Sequence, residues 1–243
     1  TLRTSRLSAG NYFNLIRNRE NSTWEFRSAT QYAYQPASLL LEEGKSKFNQ
    51  HSFYTDNSAA YLRKYNGFTQ QYKAGIQGER ATMKYIPPTQ PNDFNASNLS
   101  LYFNPYFQLQ RGKWLATLSL PLKAQRYFSQ QRSFLFFNPS TYLRYKLDYH
   151  WTFSLYGSLK RSAGDFSDLY PGLYQTDYRT WRSGNGLFPT STTQTYNLYG
   201  EYKNTVQEFF VTASLTYSRS NRNTLFEQSV SENAIVYTQR ELP

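Results

Sequence analysis

Apolar side chains recur at every second position in several long runs of this chain. In Leu99–Gln110 apolar residues occupy the odd positions, and polar residues such as Ser100, Asn104 and Gln108 stand between them. An α-helix would repeat its apolar residues three and four positions apart. Successive side chains of a β-strand point to opposite faces of a sheet. The alternation therefore predicts strands with one apolar and one polar face.

The alternation extends over most of the chain. The clearest further runs are 114–122, 143–147, 151–160, 196–202 and 209–218. Weaker runs are found at 11–19, 24–34, 53–65, 68–80 and 234–240. Together these runs predict an all-β, antiparallel fold of about eleven strands.

The predicted connections alternate between short and long. Short turns are expected at 20–23, 66–67, 111–113, 148–150 and 204–207. Longer loops are expected at 35–52, 81–96, 127–138, 161–194 and 220–227. Outer-membrane β-barrels have this arrangement, with short turns in the periplasm and long loops outside the cell.

Strand length also favours a transmembrane β-barrel. The runs are close to the 9 to 11 residues that cross a bilayer at a tilt, and no apolar run is long enough for a membrane helix. Barrels have even strand numbers and no free edge, and both Thr1 and Pro243 adjoin strand-like runs. We therefore expect residues 1–243 to be a segment of one barrel domain, about half of a barrel of ~22 strands, without the plug domain and the other strands.

Aromatic residues are abundant, with 23 Tyr and 18 Phe. Several stand towards the ends of runs, as a girdle at the membrane interface would require; these are Trp151, Tyr196, Tyr202, Phe209 and Tyr217. The general preference of aromatic residues for strands is an alternative explanation.

The sequence has a large positive charge and no motif of a known enzyme class. The net charge of +11 indicates attraction to anionic lipid, nucleic acid or an acidic ligand, unless further parts of the protein balance it. His51 and His150 lie far apart, there is no cysteine, and neither a phosphate loop nor a nucleophile elbow is present. The sequence therefore predicts no catalytic residue, no metal site and no cofactor.

The longest connection holds the candidate ligand-binding residues. Its aromatic rings suit sugars or aromatic ligands and its guanidinium groups suit acidic groups; the candidates are Tyr170, Tyr174, Tyr178, Arg179, Trp181 and Arg182. Alternatively, these rings pack the loop against the barrel rim. Arg144, Lys146 and Lys160 occupy polar positions of strands and are expected to face the lumen, where they would favour anionic solutes or simply remain solvated.

Residues 136–186, with the element Asp168-Leu-Tyr-Pro after a strand hairpin, resemble the barrel of TonB-dependent receptors of the Bacteroidetes type. The earlier segment LLLEEG, residues 39–44, is similar to preceding hairpins of that family. The resemblance implies a bacterial outer-membrane receptor that imports a siderophore, glycan or peptide. It also implies energisation by the inner-membrane TonB complex and an N-terminal plug, although neither a plug motif nor a TonB box is visible in this chain.

The expected partners follow from this reading. They are outer-membrane lipid or lipopolysaccharide, the nutrient ligand, the TonB complex through other regions of the protein, and a surface lipoprotein, with no nucleic acid. Two alternatives remain open at this point. One is a non-transporting surface barrel or adhesin, and the other is a soluble aromatic-rich module that binds glycan or nucleic acid.

Overall fold

The computed structural model describes residues 2–41, 44–86, 92–164, 166–170, 173–175, 179–184, 186, 188–231 and 234–241. Nearly all of them lie in strands. The elements are β1 (Leu2–Thr4), β2 (Leu7–Arg19), β3 (Ser22–Leu41), β4 (Gly44–Tyr65), β5 (Phe68–Ile86), β6 (Asn92–Arg111), β7 (Trp114–Ser119), β8 (Leu122–Tyr127), β9 (Arg132–Phe137), β10 (Ser140–Lys146), β11 (Trp151–Ala163), a 3-10 turn (Phe166–Leu169), β12 (Leu173–Gln175), β13 (Thr180–Ser183), β14 (Thr190–Asn204), β15 (Phe209–Arg222), β16 (Thr224–Val230) and β17 (Ile235–Glu241).

The main sheet is an antiparallel meander in which each row pairs with the next row along the chain. It contains 13 strand segments. Because β1 continues into β2, β7 into β8 and β9 into β10, the described segments form ten rows. Among the described residues, no helix has the length and apolar character needed to cross a membrane.

Prolines explain two of these interruptions. A proline has no backbone N–H to donate to the ladder. Pro121 and Pro139 stand at the breaks between β7 and β8 and between β9 and β10. Their carbonyl groups still accept bonds from the next row, from Asn138 N at 2.9 Å and from Leu159 N at 2.9 Å. The rows therefore bend at these points while remaining joined to their neighbours.

The short turns are confirmed at one end of the sheet. Asn66 and Gly67 both have positive φ angles, 42° and 78°, as a two-residue hairpin turn requires. The turn after β10 is fixed by Asp148, whose Oδ1 accepts bonds from His150 N and Trp151 N, each at 2.8 Å. Asn204 closes the turn after β14 by the same kind of contact to Val206 N and Gln207 N.

This arrangement gives the Asp148 turn a defined response to pH. The N–H groups of Trp151 and His150 hold the pKa of Asp148 below its usual value of 3.8. Because the folded pKa is lowered, the stabilisation is present above about pH 4 and is lost as the pH falls through the folded value. We expect the amides of His150 and Trp151 to lose hydrogen-exchange protection at acid pH. Asp148→Asn, which keeps the acceptor oxygen, should remove the pH dependence, and an unchanged profile would contradict this.

The predicted long loops are mostly strand. The expected loop 35–52 is a hairpin in which β3 runs to Leu41 and β4 begins at Gly44, and 81–96 is likewise covered by β5 and β6 up to Ile86 and from Asn92. In 127–138 only residues 128–131 form the turn. These segments lack clean alternation because apolar residues such as Met83, Phe94 and Tyr127 occupy positions of the polar face there and belong to a buried cluster.

The predicted number of strands in the main sheet is also corrected. The run near 234–240, expected to be a further strand of the barrel, forms β17 of a separate four-stranded sheet with the order β12-β13-β17-β16. Within it β13 and β17 pair in parallel, Thr180 opposite Ile235. This small sheet joins the longest connection, 161–194, to the segment that follows β15.

Candidate functional site

The main sheet has two chemically different faces. Cross-strand partners place Leu109, Ala116, Leu143, Leu155, Leu198 and Leu215 in one continuous line. A second line, on the opposite face, contains Gln108, Thr117, Tyr142, Tyr156, Asn197 and Thr216. We call these the apolar face and the polar face.

In the half of β6 that lies away from the short turns, side chains on the polar face are more buried than those on the apolar face. Leu101, on the apolar face, is 55% exposed, whereas its neighbour Ser100, on the polar face, has no exposed surface. Asn98 and Gln125 are also buried there. Large apolar side chains thus lie on the outside, while polar ones lie within the concavity, which is the reverse of a soluble protein.

Aromatic pairs follow the apolar face near the short turns. Trp24 packs at a tilt against Tyr61 across β3 and β4, with ring centroids 4.7 Å apart. Trp114 and Tyr145 lie 4.3 Å apart, and Trp151 and Tyr202 lie 4.9 Å apart. Each is a direct cross-strand pair. The rings therefore form a band at one level of the sheet.

A cavity of about 540 Å³ opens on the polar face, at the end away from the short turns. We call it the rim pocket. Its polar side chains comprise two cations, one carboxylate, and several amides and hydroxyls; they are Gln50, Ser52, Glu79, Asn98, Lys123, Gln125, Asn138, Lys160 and Ser162.

The rim pocket lies where two rows of the sheet diverge. The ladder between β10 and β11 ends at Ser140 opposite Ser158, whereas β11 continues along β14 to Ala163. Asn138 bridges the two rows at this point. Its Nδ2 donates to Arg161 O at 3.2 Å and its Oδ1 accepts from Arg161 N at 2.7 Å. An amide side chain thus replaces a rung of the ladder and fixes the backbone beside Lys160.

Charge within the rim pocket is predominantly positive. Lys123 and Lys160 contribute two cations, and Glu79 contributes one carboxylate. Arg161 borders the pocket through its backbone, because its position alternates with Lys160 onto the face of Leu155 and Leu159. Asn98 Nδ2 donates to Glu79 Oε2 at 3.3 Å, so the carboxylate already has a neutral partner. Ammonium groups beside amides are suited to ligands that carry carboxylate or phosphate groups.

A buried aromatic cluster closes the rim pocket. Phe166, Leu169 and Tyr170, from the Asp168-Leu-Tyr-Pro element and the residues before it, pack with Tyr127 and Phe188. Tyr170 has no exposed surface and meets Phe94 edge-on at 5.8 Å. Tyr127 contacts Phe166 and Phe188, with centroids 5.9 and 4.3 Å apart. Tyr170 therefore anchors the loop against the rim, and its side chain is fully buried.

The other loop candidates do not gather in one site. Tyr178 and the side chain of Tyr174 lie outside the described residues. Arg179 is exposed, and Trp181 and Arg182 are half-buried on or beside β13. Arg182 lies over the ring of Phe226, 4.5 Å from its centroid. This contact belongs to the small sheet, and none of these three residues lines the rim pocket.

The three residues expected to face the lumen all lie on the polar face. Lys160 lines the rim pocket. Arg144 and Lys146 stand opposite Ser154 and Thr152 and line a second cavity of about 890 Å³ beside the short turns, the turn-end pocket. Whether any of them faces a closed lumen remains a prediction.

Sequence reasoning missed Lys123, Glu79 and Asn138. Lys123 follows the Pro121 break, and Glu79 and Asn138 fall within or beside segments interpreted as loops. The alternation in 114–122 does place Lys123 opposite the apolar residues, although not as a site residue, and the same alternation continued through 68–80 would have placed Glu79 on the polar face. Nothing in the sequence indicates that Asn138 replaces a rung of the ladder.

Comparison with known proteins gives structural likeness alone. No protein-family model matches the chain, and no curated protein matches its sequence. The copper transporter OprC superimposes with a TM-score of 0.65 at 10% identity, over 98% of this chain and 41% of that one. The ferric yersiniabactin uptake receptor FyuA from Yersinia pestis gives 0.58 at 10% identity, over 89% and 36%.

The siderophore receptor PirA from Pseudomonas aeruginosa gives a TM-score of 0.54 at 13% identity, over 99% of this chain and 51% of that one. The chain thus spans about half or less of the length of these three proteins, all named for binding or transport. Their likeness confirms the all-β antiparallel fold and the architectural resemblance predicted from the sequence. The chain therefore has the antiparallel all-β fold of part of each of these three receptor and transporter proteins.

Proposed function

We propose that this chain is part of an outer-membrane receptor that binds a small nutrient and imports it with energy from the inner-membrane TonB complex. One observation carries the proposal: a meander of long antiparallel strands places a continuous apolar line outside and a polar, cation-bearing wall inside. Lipid would cover the first face and water or ligand the second. The copper and siderophore proteins that share the fold support the same reading.

In this proposal the short turns face the periplasm and the rim pocket faces the cell exterior. The rim pocket is then the first concave, polar surface of the wall that an incoming ligand meets. Its two ammonium groups beside one carboxylate favour an anionic nutrient, such as a ferric siderophore or an acidic oligosaccharide. Arg179, Trp181 and Arg182 would lie in the external loops above it. The plug and the remaining strands would come from other parts of the protein.

Fractionation of the full-length protein from its native cells tests the location. We expect the protein to remain with the outer membrane until detergent extracts it. Recovery as a freely soluble protein would contradict the proposal and favour a soluble binding module. Retention in the membrane without uptake of any nutrient would favour a surface barrel or adhesin.

The rim pocket makes a separate prediction about ligand uptake. In cells that depend on this protein, uptake should be screened with labelled ferric siderophores, acidic oligosaccharides and peptides. For the ligand that is taken up, the double variant Lys123→Gln and Lys160→Gln should weaken binding at least tenfold, because charge-assisted hydrogen bonds are lost.

The matched control is the double variant Arg144→Gln and Lys146→Gln, which removes two cations from the turn-end pocket of the same face. It should leave the affinity of the external site unchanged. Equal losses in the two variants would show that overall charge, and not the rim pocket, attracts the ligand.

A further inference from the structure

Three arginines lie close together on the apolar face, beside the short turn between β2 and β3. Arg19 and Arg63 are the cross-strand partners of Ser22, one on each side of it. Arg17, in the next outward row, is the partner of Trp24. All three arginines are exposed. Because neighbouring strands are about 4.8 Å apart, the backbones of Arg19 and Arg63 are separated by about 10 Å, and both side chains can reach one ligand.

A cavity of about 360 Å³ opens beside these arginines; it is lined by Leu15, Arg17, Arg19, Trp24, Glu25, Phe26 and Ala59. We call this cavity, together with Arg63, the arginine groove. Its half away from the turn is apolar. Leu15 and Phe26 are cross-strand partners, and Ala59 continues their row on β4. Since the partner of Ala59 on β5 is Ala74, two small exposed side chains stand beside the Phe26 ring and leave a depression in the outer surface.

The positive charge of the arginine groove is not balanced on its own face. Among the described residues of β2, β3 and β4, no carboxylate points to the apolar face, because Glu25 and Asp56 both occupy positions of the polar face. Glu20 lies in the turn. The ion pairs found within the described residues join Lys84 to Asp93 and Arg240 to Glu227, on other strands. The guanidinium groups are therefore available to an anionic ligand.

The height of the arginine groove on the sheet matches a lipid headgroup. Trp24 and Tyr61 belong to the aromatic band near the short turns, and such bands lie at the headgroup level of a membrane. Arg17 shares their row, and Arg19 lies one outward row nearer the turn. The apolar half begins in the next row towards the middle of the apolar face. A ligand that fits both halves has an anionic head and an acyl chain.

We propose that the arginine groove binds an anionic phospholipid of the periplasmic leaflet, an inference that rests on the outer-membrane location and orientation proposed above. Arginine forms bidentate hydrogen bonds with phosphate, so the three guanidinium groups hold the headgroup while an acyl chain lies along Leu15, Phe26 and Ala59. Phosphatidylethanolamine carries an ammonium group that these cations repel, whereas phosphatidylglycerol carries a net negative charge. The groove therefore prefers phosphatidylglycerol. A soluble acidic peptide would leave the apolar half uncovered.

Native mass spectrometry of the full-length protein in detergent tests the headgroup half of the groove. The protein is titrated with phosphatidylglycerol or with phosphatidylethanolamine, and we expect the first to bind about tenfold more tightly. Arg19→Gln should weaken binding of phosphatidylglycerol about fivefold, the contribution of one basic residue beside anionic lipid.

The matched control is Arg111→Gln. Like Arg19, Arg111 is the last residue of its strand before a short turn, and it is exposed on the apolar face. Its cross-strand partner is Trp114, and it lies outside the arginine groove. This variant should change the affinity for phosphatidylglycerol less than twofold.

Two further measurements test the apolar half. Ala59→Leu fills the depression and leaves every charge in place, so it should weaken binding of phosphatidylglycerol about fivefold. Glycerol 3-phosphate, which has the phosphate but no acyl chain, should not displace the lipid even in large excess.

Equal losses in Arg19→Gln and Arg111→Gln would overturn the proposed lipid site, because general surface charge would then explain the binding. Equal affinity for the two phospholipids, full affinity in Ala59→Leu or displacement by glycerol 3-phosphate would also overturn it. Failure of the protein to fractionate with the outer membrane would instead overturn the proposed location.

Discussion

Replacing Gly75 by alanine is expected to destabilise the barrel wall by about 3 kcal/mol, at the upper end of overpacking effects. Gly75 lies on the polar face of β5, beneath the ring of Tyr102. This ring crosses from β6 to β4, where its hydroxyl donates to Asp56 Oδ1 at 2.7 Å. A Cβ at position 75 would lie 2.5 Å from the Tyr102 ring and 2.7 Å from the backbone oxygen of Asn57.

The effect should be measured as the free energy of unfolding of the full-length protein in phospholipid vesicles, by urea titration. Gly200→Ala is the matched control, because a Cβ there meets only the Phe153 ring at 3.6 Å, an ordinary contact. It should change stability by less than about 0.5 kcal/mol. If Gly75→Ala is equally mild, the crossing of Tyr102 over β5 is wrong.

A charge placed on the apolar face should cost far more than the same charge placed one residue away. Leu198→Arg puts a guanidinium where lipid is expected, and we expect a loss of about 2 to 4 kcal/mol in folding free energy. Asn197→Arg puts the same group on the polar face, which already carries Arg144, Lys146 and Lys160. We expect that variant to lose less than about 1 kcal/mol.

This comparison separates a membrane barrel from a soluble sheet covered by another protein domain. In a soluble protein the two variants would differ in folding free energy by the same amount with and without phospholipid vesicles. In a membrane barrel the difference should appear as reduced folding into vesicles. Equal losses at 197 and 198 would contradict the assignment of the two faces.

Sequence reasoning predicted the two-faced strands and the short turns because both follow from local chemistry. Period-two alternation fixes the face of each side chain, and Asn66-Gly67 supplies the positive φ angles that its turn requires. Sequence reasoning did not predict the parts of the strands that extend beyond the apolar band. There, apolar residues such as Met83 and Phe94 occupy positions of the polar face and belong to a buried cluster, so the strands no longer show the alternation.

The candidate site was predicted in part. Lys160 was placed on the polar face from its strand position, and it does line the rim pocket. The aromatic residues of the long loop could not be separated by sequence into those that pack and those that remain exposed. That distinction depends on contacts such as Tyr170 with Phe94, which join residues distant in the chain and carry no local signal.

The most direct test of the central claim is cysteine labelling along β14. Single cysteines at positions 195 to 202 of the full-length protein would be treated, in intact outer membranes, with a small water-soluble maleimide. We expect strong labelling at 195, 197, 199 and 201, on the polar face, and weak labelling at 196, 198, 200 and 202, on the face towards lipid. Uniform labelling along the strand would contradict a wall that separates lipid from an aqueous passage.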